Sequence, residues 1–173
     1  RIHSRTRGGL TCPLVLRVPV GGGIHAPEHH SDSPEAIYTH TPGLKIVMPS
    51  SPYDAKGLLI SAIRDPNPVI FFEPKRIYRA FREEVPEDEY LVPIGKARTV
   101  CEGEELTMVT WGATVIQCMN AIEQSHRSIE LIDLRTISPI DMDTISNSVR
   151  KTGRCVVVHE APKTAGLGAE IAA

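Results

Sequence analysis

At 173 residues the chain has room for one large α/β domain or two small ones, and 41% hydrophobic with 23% charged residues is ordinary for a globular protein. A formal net charge of -2 lacks the basic surplus that nucleic acid or an anionic membrane would attract, and no apolar run approaches the roughly 20 residues that span a bilayer. Four cysteines (Cys12, Cys101, Cys118 and Cys155) are scattered without a CxxC pair, so reduced thiols in a cytosol-like compartment are expected, three of them beside apolar runs as small buried hydrophobes.

The chain opens at Arg1 without an initiator Met, which leaves targeting unread, and it closes at Gly168-Ala-Glu-Ile-Ala-Ala173, which reads as the first turn of a cut helix. Truncation at both ends is expected. Leu14 to Val20 reads as a buried strand, followed by the loop Gly21-Gly-Gly23. Ser33-Pro-Glu35 predicts a short helix, with Ser33 as cap and Pro34 in the first turn, stopping near Gly43. Lys45 to Met48 is a second strand. Ser51-Pro52 then opens a helix with Asp54 at its positive end, and Ala55, Leu58, Leu59, Ala62 and Ile63 fall on one face. Asp65-Pro-Asn-Pro68 breaks that helix, and Val69 to Phe72 forms a fully buried strand. The order β-α-β-α-β predicts a parallel sheet.

Charge and prolines dominate the next stretch, which reads as a surface linker over 74–97. A second α/β unit follows. Its strands are Leu106–Trp111, Ile129–Leu134 and Arg154–His159. One helix carries Val115, Cys118, Met119 and Ile122 on a face, and another, led in by Ser138-Pro139 and Asp141, carries Met142, Ile145 and Val149. The fold class is α/β, with two doubly wound units.

His25, His29, His30 and Asp32 crowd into eight residues after the glycine loop, beyond the carboxyl end of a strand, where ligands gather in open α/β sheets. Three readings stand: a zinc site, a polar loop with a helix cap, or a histidine that faces a cofactor. Neighbouring His29 and His30 point apart on most backbones, and no HExxH pattern supports zinc. Asp65 and Asn67 read as turn chemistry, or as oxygens that join helix-end carbonyls around a hard cation. Gly166-Leu-Gly168 is half of a phosphate loop at best, and tight helix–strand packing explains it better. No GxSxG elbow and no GxxxxGK[ST] loop is present, which argues against hydrolases and nucleotide triphosphatases.

Longer strings carry a resemblance. His30-Ser-Asp-Ser-Pro-Glu35, His40-Thr-Pro-Gly-Leu-Lys-Ile-Val47, Ser51-Pro-Tyr-Asp-Ala-Lys-Gly-Leu-Leu59 and Asp65-Pro-Asn-Pro-Val-Ile-Phe-Phe-Glu-Pro-Lys75 resemble, in order, the β subunits of 2-oxo acid dehydrogenase E1 components. Ile132-Asp-Leu-Arg-Thr-Ile-Ser-Pro139 and Val158-His-Glu-Ala-Pro162 continue the match. Ser33-Pro-Glu35 and Phe71 to Lys75 look like the branched-chain type.

The resemblance implies transketolase-like architecture: the later part of a pyrimidine-binding domain over 1–73, a linker over 74–97 and a truncated C-terminal domain over 98–173. It further implies thiamine diphosphate with Mg2+, held mainly by an α subunit, and an α2β2 heterotetramer with a second β subunit. The reaction implied is oxidative decarboxylation of branched-chain 2-oxo acids, with the acyl group passed to a lipoyl arm and the subunit-binding domain of E2 as a further partner. The location implied is the cytoplasm, or the mitochondrial matrix in a eukaryote.

By position, His30 takes the role of the active-site histidine. Its unperturbed pKa of about 6.5 suits proton transfer and carboxylate recognition near neutrality. A structural potassium would lie among Cys12, Leu14 and Val15 near the first strand and Ala62, Asp65 and Asn67 after the second helix. The cofactor-activating glutamate of the family precedes Arg1, and Glu28, Asp32 and Glu35 do not take its place. This stretch alone is therefore expected to be inactive. Alternatives are a pyruvate or acetoin dehydrogenase E1 β subunit, a transketolase-like enzyme, and a non-enzymatic scaffold that docks E2.

Overall fold

The run Val69-Ile-Phe-Phe72 has no polar residue to offer water, and it becomes the buried middle of the first sheet. The computed structural model describes residues 2–173, with the side chain of His30 outside the described residues. A short helix α1 (Ile2–Arg5) leads through an exposed stretch to β1 (Val15–Val20). Then come α2 (Glu35–Thr39), β2 (Lys45–Val47), α3 (Pro52–Arg64) and β3 (Val69–Pro74). β1 and β2 both pair with β3 in parallel, with Val15 and Lys45 flanking Val69. The expected β-α-β-α-β order therefore forms, because parallel neighbours need a crossover between them.

Local chemistry sets the helices. The Ser51 hydroxyl accepts from the Asp54 N–H at 3.2 Å, and Pro52 stands in the first turn of α3. Leu58 and Ala62 are buried, whereas Ile63, expected on the same face, is 62% exposed. α2 departs from expectation. Its cap position is Pro34 and not Ser33, no side chain caps it, and it ends at Thr39. Burial of Glu35 against the second unit holds this helix start, a contact no local pattern encodes.

The second unit contributes β4 (Arg98–Cys101), β5 (Leu106–Thr110), α4 (Thr114–Ser125), β6 (Ile129–Asp133), β7 (Thr136–Ser138), α5 (Met142–Thr152), β8 (Cys155–Val157) and α6 (Leu167–Ala172). Its sheet has the order β4-β6-β5-β8, with β6 and β8 parallel to β5 and β4 antiparallel to β6. Close approach explains Gly168, as expected: a Cβ there would lie 2.5 Å from His159 Nε2. The expected faces of α4 and α5 are narrower than the pattern suggests, since Met119 and Met142 are exposed. Cys155 lies exposed in edge strand β8, while Cys118 is buried.

The two units are not independent. β7 leaves its own sheet and pairs antiparallel with β2, Ile46 opposite Ser138, which completes the first sheet as β1-β3-β2-β7. One core then runs through both, with Ile46, Ile70 and Phe72 from the first unit beside Trp111, Ile132 and Ile137 from the second.

Buried charge reinforces the same seam. Asp54 of α3 and Asp133 of β6 are fully buried. Arg135 donates to Asp54 at 3.0 Å, Arg98 lies 3.4 Å from Asp54 and 3.7 Å from Asp133, and Ser50 donates to Asp133. Burial pushes the Asp133 carboxyl up to about 6, against the pull of the Ser50 hydroxyl and the Arg98 charge. Asp54 thus does more than face a helix dipole.

The segment 75–97 is irregular apart from a single 3-10 turn, and it is exposed over 78–84. Its last part departs from a surface linker: Val92 is buried and packs with Tyr90 and Ile94 against Leu58 and Phe71.

Candidate active site between the two units

β1 delivers the chain at Val20 to a loop whose geometry needs glycine. Gly21 and Gly23 have φ of +92° and +83°, where a side chain would be strained. The Gly21 N–H donates to the Asp32 carbonyl at 2.9 Å and closes the neck of the loop. Within it, the Ser31 hydroxyl donates to the Ala26 carbonyl at 2.9 Å, and Glu28–Ser31 form a 3-10 turn. His25, His29 and Asp32 are exposed. His30, the expected catalytic residue, lies in that turn, and its side chain is outside the described residues. The zinc reading finds no support in the donor geometry: among the described residues no group of three or more His, Cys, Asp or Glu comes together as a metal site.

Sequence reasoning missed the residues beneath the loop. Glu35, 3% exposed, accepts a hydrogen bond from Trp111 Nε1 at 3.2 Å, and its Oε2 is buried without a partner. Trp111 stacks on His159, with centroids 5.1 Å apart and an interplanar angle of 14°. His159 Nδ1 is likewise buried and unpartnered. Glu160 stands beside the loop's neck, where a Cβ on Gly21 would come 3.1 Å from its Oε2. Glu35 and Trp111 are 76 positions apart, and the only signal available was the placement of each at an element boundary.

The two segments expected to hold potassium lie side by side. The Cys12 N–H donates to the Pro66 carbonyl at 3.1 Å, so the segment before β1 lies against the turn after α3. The Leu14 carbonyl accepts from Val69 at 2.8 Å and the Ala62 carbonyl from Asp65 at 3.3 Å. The Asp65 carboxylate is already engaged, by the Asn67 N–H at 2.9 Å and by the Lys45 ammonium. The Asp65 side chain is therefore already occupied, so a hard cation at this junction would have to draw on the second lone pairs of main-chain carbonyls.

Comparison with known proteins agrees with this architecture. The transketolase pyrimidine binding domain matches residues 1–80, and the transketolase C-terminal domain matches residues 95–173. A solved structure described as a split gene transketolase, an inactive β4 tetramer, superposes with a TM-score of 0.72 at 21% identity, covering 99% of this chain and 59% of that one. That likeness speaks to the fold.

Three relatives carry the name pyruvate dehydrogenase E1 component subunit beta. The protein from Mycoplasma genitalium is 58% identical across 99% of this chain, and that from Mycoplasma pneumoniae is 54% identical across all of it. The protein from Staphylococcus aureus strain Mu50 is 52% identical across 100% of the chain. The chain covers 53%, 54% and 54% of these proteins respectively, about half the length of the curated relatives it matches. These names are those of the pyruvate alternative and not of the branched-chain type expected from Ser33–Glu35 and Phe71–Lys75. Residues 1–80 and 95–173 thus match the transketolase pyrimidine-binding and C-terminal domains, and along its length the chain is similar to proteins named as E1 β subunits of a 2-oxo acid dehydrogenase.

Proposed function

We propose that this chain forms part of the β subunit of a pyruvate dehydrogenase E1, which decarboxylates pyruvate and passes the acetyl unit to a lipoyl group on E2. Its 52–58% identity to three proteins of that name along its whole length carries the reading. The exposed loop over 22–31 supports it, because it offers histidines at the carboxyl end of a parallel strand, where α/β sheets bind ligands.

Thiamine diphosphate, bound with Mg2+ chiefly by an α-type partner in an α2β2 assembly, would supply the electron sink for the bond to carbon dioxide. This chain's share is different. The Gly21–Asp32 neck sets the loop, and His30 within it would supply the imidazole that hydrogen-bonds the substrate carboxylate and moves protons near neutral pH. Potassium at the junction of the Cys12–Val15 and Ala62–Asn67 segments would be held by main-chain oxygens and would brace the start of β1. A subunit-binding domain of E2 and a reducing compartment complete the proposal.

The test uses the full-length chain co-expressed with its α-type partner, with pyruvate and 3-methyl-2-oxobutanoate as substrates. Pyruvate is expected to give the higher kcat/KM by about tenfold or more, the scale on which a pocket separates small apolar groups. His30→Ala is expected to lower kcat by about 10²- to 10⁴-fold. Preference for the branched substrate would overturn the pyruvate reading, and near-normal turnover in His30→Ala would overturn the site.

A further inference from the structure

Glu35 is a costly residue for its place. A carboxylate removed from water and given one neutral donor recovers less than it loses, and an unpartnered second oxygen adds to the deficit. An aliphatic side chain would serve the packing of α2 at least as well. Its neighbours suggest what the carboxylate does instead. Glu35 stands four residues past the 3-10 turn that contains His30, and Trp111, its partner, is buried and stacked on His159 of the second unit. The other foot of the loop rests on the second unit as well, with Gly21 against Glu160. The crown of the loop between these feet is largely exposed.

We infer that Glu35 is a positioning residue, which fixes the histidine loop to the C-terminal unit through the Trp111 indole N–H. The setting of the loop then follows the second domain and not only the strand from which it springs. The inference rests on the reading of His30 as the acid–base group, although loop placement can be measured without it. A shift of a reacting group by about 1 Å costs roughly 10²-fold in rate, so a loose foot would be felt in kcat before KM.

Assembled enzyme made with the full-length chain is compared with Glu35→Leu, Glu35→Gln and Trp111→Phe. The phenylalanine keeps a ring over His159 and removes the donor together with part of the indole's volume; the glutamine keeps an acceptor. Glu35→Leu and Trp111→Phe are expected to lower kcat by about tenfold or more with KM changed less than about threefold. The double variant should be no worse than either single, and Glu35→Gln should recover most of the rate. Amide exchange read by mass spectrometry should quicken by about tenfold over residues 22–34 in both variants while β3 stays protected.

Unchanged exchange over 22–34 in Trp111→Phe would overturn the inference, as would losses that multiply in the double variant. Should Glu35→Leu fail to assemble, Trp111→Phe alone decides. If loop exchange responds but His30→Ala is active, the positioning stands and the assignment of His30 falls.

Discussion

Residues 22–31, apart from the turn at Glu28–Ser31, and residues 86–97 are irregular, yet they are held in opposite ways. In the later stretch, side chains reach up to satisfy the backbone. Lys56 donates to the carbonyls of Pro86, Glu87 and Asp88, the Ser61 hydroxyl donates to the Val92 carbonyl at 2.7 Å, and Arg135 holds the carbonyls of Lys96 and Ala97 at 3.1 and 3.2 Å. The glycine–histidine loop is tied at its feet, by Gly21 to Asp32 and by Glu35 to Trp111, and its crown is largely exposed. Irregular chain becomes a fixed strap where its orphan carbonyls find donors; pinned at its feet with an exposed crown, it leaves a surface that a ligand can reach.

The strap can be broken most severely at Gly57. A Cβ there would press into Val92 and stand 2.8 Å from Tyr90 Cε2. Gly57→Ala should lower the unfolding free energy by about 3 kcal/mol, read from urea denaturation, as overpacking does. A loss below about 1 kcal/mol would mean the strap yields and is no firmer than the loop.

Asp133 sharpens the comparison, because the charge cluster it belongs to also anchors the end of the strap through Arg135. Its carboxyl is raised from 3.8 to about 6 by burial, so the folded chain keeps a proton that the unfolded chain releases between those values. This group's contribution to stability therefore grows as pH falls through about 6 and is lost as pH rises through it. The shift corresponds to something on the order of 3 kcal/mol. Denaturation at pH 4.5 and 7.5 should show a gain toward acid in the wild type that Asp133→Asn lacks. Parallel profiles would place the unfavourable charge on Asp54 instead.

The smallest effect is expected at Lys56, whose amine also lies 5.2 Å from the Tyr90 ring centroid. Lys56→Met should cost about 1 kcal/mol, with faster amide exchange confined to residues 86–92. Loss of protection across α3 as well would show that strap and helix open together.

The sequence made the long elements legible and the seam illegible, for physical reasons. Apolar runs and the Ser51-Pro52 start announce β3 and α3, since strand burial and capping are written within a few residues. β4 and β7 were unread: three or four residues of mixed polarity, Arg98–Cys101 and Thr136–Ser138, take strand form only because a neighbouring edge is open to them. Ser33 looked like a cap because nothing in its vicinity reveals that Glu35 will be buried beneath Trp111. The loop was legible as a candidate site from its glycines and histidines. The support under it was not, because Glu35, Trp111, His159 and Glu160 meet only once both units have folded.

The three residues of β7 bear on how this polypeptide can be divided. A gene cut between the two domains would give a first piece missing the outer strand beside Ile46 and Val47, and a second piece with Ile137 stripped of its cover. Each would expose a fresh hydrogen-bonding margin of the sort that recruits other chains into aggregates. Domain resemblance divides the segments into two modules, while their stability belongs to a single object.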